Sequence, residues 1–274
     1  MPNYVDSPEY RYFVSKIKAL ANIDLDSYKP WQIQRRLAFV MEQAGAANYR
    51  KYADILASDE AKLTHFVNWV TINVSEFYRD ADKFRSLERL ILPSLLEQNE
   101  RLRIWSAGCS NGAEPYTMAL ILEDMTPGVK HEIIGTDLDS HILKTAREAR
   151  YLARDVKSVP RHLLQQFFTQ DGETYVLSDK VKKRVHFKKH DLLKDPYDNG
   201  FDLILCRNVV IYFTNEAKDN IYNKFWLSLK DGGVLFVGGA ESILNAKELG
   251  FKVLAPFFYA KVMDTGRLGA RKAS

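Results

Sequence analysis

Apolar residues follow two different patterns along this chain. Up to residue 80 they recur three or four positions apart, which is the spacing of one face of an α-helix. The spacing predicts helices over 8–21, 30–44, 49–57 and 59–72, and Ser7 is placed to cap the first of them. Because no strand-like alternation appears in this part, we expect residues 1–80 to form a helical domain.

A further amphipathic segment connects this region to the remainder of the chain. It predicts a helix over 82–98 that is interrupted by Pro93, since proline cannot donate the hydrogen bond that a helix interior needs. We interpret residues 81–100 as a linker helix between two domains.

Short apolar strands alternate with helices from residue 101 onward. Strands are predicted at 102–105, 131–136, 185–187, 201–206, 234–237, 251–253 and 258–262, and helices at 114–124, 140–148 and 215–229. Such alternation is typical of an α/β domain whose parallel sheet is covered on both faces. The last two strands flank Pro256 and are expected to form an antiparallel hairpin at the sheet edge. Residues 151–183 interrupt the alternation with a short helix and a small hairpin.

One stretch, LRIWSAGCSNGAEPYTM at 102–118, reads as a strand, a glycine turn and a helix with Pro115 in its first turn. This layout can bring backbone N–H groups and the positive end of a helix against a nucleotide-like ligand. Gly108 and Gly112 are four positions apart, so the turn matches neither the dinucleotide-binding fingerprint nor a P-loop. A tight turn without a ligand remains an alternative.

Polar or glycine residues follow four of the predicted strands. They are Gly108, Asp137, the run His190-Asp191-Leu192, and Arg207 with Asn208. Ligands of parallel sheets bind beyond the carboxyl ends of the strands, and an acidic residue after the second strand suits a ribose diol. The alternatives are a helix N-cap for Asp137, a turn residue for Asp191 and a cap for Asn208.

Composition narrows the class of protein. Cys109 and Cys206 are the only cysteines, which excludes a disulfide framework, and no His or Cys spacing matches a metal site. The longest apolar runs are too short for a bilayer and the N-terminus shows no signal peptide, so we expect a cytoplasmic location. The net charge of +4 is too small to demand nucleic acid. Residues 151–190 hold nine Lys and Arg against four Asp and Glu, which indicates a solvated face or a docking surface.

Three motifs, NVSEFYRD, WSAGCSNGAEPYTMA and CRNVVIYF, make the sequence similar to the chemotaxis receptor methyltransferase family (CheR). The resemblance implies an S-adenosylmethionine-dependent protein-glutamate O-methyltransferase for sensory adaptation. It also implies a Rossmann-like methyltransferase domain over 101–274, with a small β-subdomain inserted at 151–185, after the all-α N-terminal domain. From the residues alone, 71–80 is a polar loop with a cap at Ser75.

The resemblance also assigns the site, without a metal. Arg79 and Tyr212 are implied to act near the transferred methyl group, and Arg79 contacts either the substrate carboxylate or the carboxylate of the cofactor. The implied cofactor-binding residues are Asn73, Ser75, Arg79, Gly108, Glu114, Asp137, Asp191, Leu192, Asn208 and Val209.

The implied partner is the cytoplasmic helical bundle of chemoreceptors, met by a monomer without membrane insertion or nucleic acid. Lys29, Arg35 and Arg36 give the second helix a basic character for docking, although residues 1–80 are neutral with ten basic and ten acidic side chains. The turn at 170–173 has one glycine, which predicts that a receptor C-terminal pentapeptide is not required.

Two other classes of function remain open. A methyltransferase acting on nucleic acid or on a small molecule would use the same fold, because the fold does not determine the substrate. No Asn/Asp-Pro-Pro-Tyr stretch for methylating base amino groups is present, which speaks against a nucleic-acid substrate. A non-catalytic binding module is the second alternative, and the presence of Asn73, Arg79, Glu114 and Asp137 argues against it.

Overall fold

The computed structural model describes residues 7–71 and 75–262. The chain divides into two compact units. The first comprises Met1–Asn73 and Tyr212–Lys218, and the second comprises Val74–Ile211 and Asp219–Ser274.

The first unit is helical, as the apolar spacing predicts. Its helices are α1 (Pro8–Ala21), α2 (Pro30–Gln43), α3 (Tyr49–Ser58) and α4 (Glu60–Thr71), with a 3₁₀ turn at Leu25–Ser27. Ser7 caps α1 as predicted, since its side-chain oxygen accepts a hydrogen bond from the Tyr10 N–H at 3.2 Å. Buried aromatic rings form the core, where Phe13 stacks on Tyr52 at 5.8 Å and meets the edge of Phe66 at 5.9 Å.

A later segment of the chain, Tyr212–Lys218, also belongs to the helical unit. The sequence pattern instead predicts that it belongs, with the rest of 101–274, to the second domain. Backbone hydrogen bonds account for the difference, because Lys29 N donates to Tyr212 O at 2.8 Å and Thr214 N donates to Ser27 O at 2.9 Å.

The main sheet of the second unit has seven strands. In chain order, with the strands of the insert included, the unit contains β1 (Arg103–Ala107), β2 (Glu132–Asp137), β3 (Arg150–Leu152), β4 (Phe168–Asp171), β5 (Thr174–Leu177), β6 (Val185–Lys189), β7 (Phe201–Cys206), β8 (Leu229–Val237), β9 (Phe251–Ala255) and β10 (Phe258–Lys261). The spatial order is β6-β2-β1-β7-β8-β10-β9, in which the first five strands are parallel. The Rossmann-like α/β class and the antiparallel edge hairpin are therefore confirmed.

Helices connect these strands. They are α5 (Ala81–Ser86), α6 (Leu92–Gln98), α7 (Ala113–Met125), α8 (Ser140–Glu148), α9 (Ala153–Val156), α10 (Arg161–Phe167), α11 (Asp179–Lys182) and α12 (Asn215–Ser228). The interruption predicted at Pro93 takes the form of a π-helical turn, Leu87–Ile91, between α5 and α6. Because Pro93 lacks an N–H, the preceding turn can widen without losing the hydrogen bond that an ordinary residue would make there.

The interruption after residue 150 is a small separate sheet. Its order is β3-β5-β4 and all pairings are antiparallel. The β4–β5 hairpin turns at Gly172, which has a φ of +59°. The predicted hairpin is present, and β3 extends it to three strands because the chain pairs Arg150–Leu152 with β5 before entering α9.

Within residues 7–71 and 75–262, every helix is too short or too polar to cross a membrane.

Candidate functional site

The glycine turn after β1 packs against the ends of two neighbouring strands. Gly108 N and Cys109 N both donate to Thr136 O at 2.8 Å, which ties the turn to the end of β2. Gly108 has a φ of +77°, and a Cβ at this position would lie 2.5 Å from Val209 Cγ2 beyond β7. Glycine is therefore required at 108 both by the backbone conformation and by the close approach of Val209.

Asp137 joins this turn to the end of β2. The residue is only 8% exposed. Its Oδ2 accepts a hydrogen bond from Ser110 N at 2.9 Å, and its Oδ1 accepts one from Asp139 N at 3.0 Å. The alternative of a helix N-cap is wrong, because Asp139 caps α8 through bonds from His141 N and Ile142 N. Burial raises the pKa of Asp137, and the backbone N–H groups of Asp139, Ser110 and Leu138 oppose the rise. Each carboxylate oxygen can accept one further hydrogen bond.

The turn after β7 has an unusual backbone. Asn208 has a φ of +61°, and its backbone N–H donates to Glu241 Oε2 at 2.6 Å. The N–H of Val209 donates to Glu241 Oε1 at 2.8 Å. Asn208 Oδ1 is buried and has no hydrogen-bond partner within the described part of the chain, which excludes a capping role for that oxygen there.

Glu114 lies in the first turn of α7 within a buried ion-pair network. Its side chain is 12% exposed, and it accepts from Ser106 Oγ at 2.8 Å and from Arg207 Nη1 at 3.3 Å. Burial raises the pKa of Glu114, and the Arg207 guanidinium opposes the rise. Arg207 also donates through Nη2 to Arg79 O at 2.9 Å and to Asp80 Oδ2 at 2.8 Å. The network therefore connects α7, the end of β7 and the segment before α5.

Asp191 and Leu192 follow β6. Leu193 N donates a hydrogen bond to Asp191 Oδ1 at 2.9 Å, which is the bond expected if Asp191 is a turn residue, the alternative given above. Leu192 is buried, and its carbonyl accepts from Tyr197 OH at 2.7 Å. Since His190 N donates to Asp137 O at 2.9 Å, this turn is joined to the end of β2.

The other predicted cofactor residues are distributed more widely. Ser75 O accepts from Asn111 Nδ2 at 3.3 Å, which holds the 75–80 segment beside the glycine turn. Arg79 is half-buried, and Asn73 lies outside the described residues.

Four further predicted residues belong to the first unit: Tyr212, Lys29, Arg35 and Arg36. Arg35 is exposed on α2. In contrast, Arg36 Nη2 donates to Trp69 O at 2.6 Å, and its guanidinium lies over the Trp69 ring at 4.4 Å. Arg36 thus joins α2 to α4, so its structural role differs from that of the exposed Arg35.

The grouped strand ends fit a nucleoside-like ligand. Gly108, Asp137 and Asn208 come together through Thr136, Ser110 and Val209, as parallel strand ends should. Ser110 Oγ and Asn208 Oδ1 are buried without a partner among the described residues, and they are available to ligand hydroxyl or amino groups. No group of three or more His, Cys, Asp or Glu side chains suited to a metal ion occurs in residues 7–71 and 75–262.

Sequence reasoning missed Glu241 and the role of Ser106, and it placed Arg207 at a strand end without assigning it a role. Each forms part of the hydrogen bonding around the predicted residues. Glu241 lies four residues after β8, the fifth parallel strand. An acidic residue near the end of this strand could have been recognised from the sequence in the same way as the polar and glycine residues after the other four strands.

Family comparisons agree with this geometry. Residues 73–255 match the model described as "CheR methyltransferase, SAM binding domain", and residues 8–71 match "CheR methyltransferase, all-alpha domain". The second unit is accordingly an S-adenosylmethionine-binding methyltransferase domain. The chain belongs to the CheR methyltransferase family, as the resemblance predicted.

Relatives along nearly the whole length support this membership. A chemotaxis protein methyltransferase of Listeria monocytogenes is 40% identical over 92% of this chain and 97% of its own. A chemotaxis protein methyltransferase of Borreliella burgdorferi is 33% identical over 87% of this chain and 89% of its own. The chemotaxis protein methyltransferase 1 of Pseudomonas aeruginosa is 32% identical over 86% of this chain and 89% of its own.

Proposed function

We propose that this protein methylates glutamate side chains of chemoreceptors, with S-adenosylmethionine as donor, and so serves sensory adaptation. The products are a glutamate methyl ester and S-adenosylhomocysteine. The observation that carries the proposal is the grouping of Gly108, Asp137 and Asn208 around unpartnered buried polar atoms, in a chain of the chemotaxis methyltransferase family.

The cofactor is held by the strand-end residues. Asp137 accepts hydrogen bonds from the ribose hydroxyls through the carboxylate lone pairs that Ser110 N and Asp139 N do not occupy. Asn208 with Val209, and Asp191 with Leu192, flank the adenosyl group, while Gly108 permits close approach of the backbone.

Glu114 contributes to the same site from the first turn of α7. Ser75 is assigned a further contact with the cofactor, and the same assignment for Asn73, which lies outside the described residues, rests on the family resemblance alone.

The chemistry requires no general base. A glutamate side chain is an anion at neutral pH, so it can act directly as the nucleophile. When bound, S-adenosylmethionine supplies an electrophilic methyl group on a sulfonium. A carboxylate oxygen forms the new bond to that methyl carbon as the sulfur–carbon bond breaks, and the electron pair remains on sulfur. The protein contributes by holding donor and acceptor in line in a site short of water.

Arg79 and Tyr212 act at the reacting groups in this proposal. Arg79 pairs with a carboxylate through charge-assisted hydrogen bonds, either that of the substrate glutamate or that of the cofactor. The family resemblance assigns Tyr212 to the transferred methyl group.

The partner is the helical bundle of a chemoreceptor, met by a monomer through the basic side of α2. Lys29 and Arg35 are the docking residues that can be tested cleanly. Arg36 was also predicted for docking, but its contact with Trp69 means that a substitution there would also disturb the helical unit.

Labelled methyl transfer to membranes that carry chemoreceptors tests the proposal. Methyl esters hydrolyse in mild alkali and N-methyl groups do not, so we expect volatile methanol to be released from the receptor band. Asp137→Ala should abolish labelling through loss of cofactor binding, whereas Arg35→Ala should slow labelling and leave cofactor affinity unchanged. Alkali-stable label, or label on RNA instead of receptors, would favour the nucleic-acid alternative.

A further inference from the structure

Glu241 is a buried carboxylate that receives backbone donors from two separate strand ends. The residue is 4% exposed and lies in the loop after β8. Its Oε2 accepts from Asn208 N at 2.6 Å and from Gly238 N at 2.8 Å, and its Oε1 accepts from Val209 N at 2.8 Å. A single side chain therefore satisfies three backbone N–H groups at the ends of β7 and β8.

The loop is built to admit this carboxylate. A Cβ at Gly238 would overlap Glu241 Oε2 and would lie 2.8 Å from Asn208 N, so a side chain at 238 is incompatible with the arrangement. The backbone of Glu241 is itself anchored, because its N–H donates to Gly238 O at 3.1 Å and its carbonyl accepts from Tyr222 OH at 3.4 Å.

The backbone that Glu241 holds includes a left-handed residue. Asn208 has a φ of +61°, a conformation that residues other than glycine adopt uncommonly and that asparagine tolerates better than most. The next residue, Val209, approaches the position of a Cβ on Gly108 to 2.5 Å. Holding the two N–H groups of this turn therefore sets where Asn208 Oδ1 and the Val209 side chain lie relative to the glycine turn.

We propose that Glu241 is a positioning residue for the cofactor, which acts by clamping the backbone of Asn208 and Val209 in its ligand-binding conformation. The inference rests on the proposed function, because it takes Asn208 and Val209 as cofactor contacts. Glu241 itself touches neither the cofactor nor the substrate in this role.

Glu241→Gln tests the clamp with little change in size. An amide offers one acceptor oxygen in place of two, so its NH₂ group must face an N–H donor of Asn208, Val209 or Gly238. We expect the dissociation constant for S-adenosylmethionine, measured by calorimetry, to rise roughly tenfold or more, which is the size expected when a hydrogen bond to a charged acceptor is lost. The KM for the cofactor should rise in parallel, while kcat at saturating cofactor changes little.

Hydrogen exchange separates positioning from a general structural role. In Glu241→Gln the amides of Asn208, Val209 and Gly238 should exchange faster, while the interior amides of β7 and β8 keep their protection. Glu248→Gln makes the same chemical change at an exposed position of the same loop, and it should keep the wild-type affinity for S-adenosylmethionine and the wild-type exchange of the Asn208, Val209 and Gly238 amides.

Gly238→Ala provides a second variant, which displaces the carboxylate without removing it, and it should weaken cofactor binding in the same way. Wild-type affinity in either variant, or loss of protection throughout β7 and β8 in Glu241→Gln, would overturn the inference. Failure of the wild-type protein to bind S-adenosylmethionine would instead overturn the proposed function.

Discussion

Replacing Arg207 by methionine is expected to lower the free energy of unfolding by about 3 kcal/mol at neutral pH. The Arg207 side chain is 1% exposed, and its guanidinium lies near the rings of Phe84 and Phe236, at 5.0 Å and 4.7 Å from their centroids. Methionine keeps an apolar chain between those rings, so the substitution chiefly removes the charge and its hydrogen bonds.

The two carboxylates that Arg207 contacts should contribute unequally to this loss. Asp80 is 41% exposed and retains its ion pair with Lys83 at 3.0 Å, so its share should be small. Glu114 is 12% exposed and, of its hydrogen bonds within the described residues, would keep that from the Ser106 hydroxyl, with the charge of Arg79 as a weaker influence. Leaving a buried charge without its partner costs about 3–5 kcal/mol, and the remaining hydroxyl bond places the expected loss at the lower end of that range.

Urea unfolding of four proteins measures this coupling: the wild type, Arg207→Met, Glu114→Gln and the double variant. In the double variant, removing the unpaired Glu114 carboxylate should restore part of the lost stability, with a coupling free energy of about 1 kcal/mol or more. Because Arg207 counteracts the effect of burial on the pKa of Glu114, its removal should raise that pKa further. Protonation then relieves the unpaired charge, so the deficit should shrink as the pH falls towards about 5. Additive single effects, or a deficit that does not change with pH, would refute this reasoning.

Three further substitutions test individual contacts of the second unit. In His131 the ring Nδ1 accepts a hydrogen bond from Leu102 N. His131→Asn can keep that bond through its amide oxygen but loses the titrating ring. Burial lowers the pKa of His131, so the wild type should lose stability as the pH falls below about 6.5, and its advantage over the variant should decline there; parallel pH profiles would contradict this. Gly108→Ala should lower the free energy of unfolding by about 2 kcal/mol because of the contact with Val209, and unchanged urea stability would contradict it. Asp139→Ala should lose about 1 kcal/mol through the cap of α8, with Asp139→Asn retaining most of it in thermal melts.

Local pattern predicted most of the elements and the grouping of the strand ends, whereas the other site residues came from the family resemblance. The spacing of apolar residues predicted the helical first unit and the alternating second unit, because burial of one face imposes that spacing whatever the neighbouring element is. The grouping of Gly108, Asp137 and Asn208 followed from a general property of parallel sheets, whose carboxyl ends share one edge.

Alternatives at single positions needed the three-dimensional structure. Asp137 and Asp139 are both acidic residues before the same helix, and although the predicted helix start at 140 favours Asp139 as the cap, the sequence left Asp137 as an alternative. The backbone geometry decides, since the side chain of Asp139 reaches His141 N at 2.8 Å while that of Asp137 turns to Ser110 N.

The sequence by itself thus determined the α/β class, the strand ends where a nucleoside could bind and, apart from Tyr212–Lys218, the two-part organisation, because each depends on residues that are near one another in the chain. The tertiary structure alone decided which side chains support those ends. Glu241 reaches Asn208 across 33 residues, and Arg207 reaches Asp80 across 127. No local pattern records such pairings, since a buried charge becomes favourable only when folding brings its partners within hydrogen-bond distance.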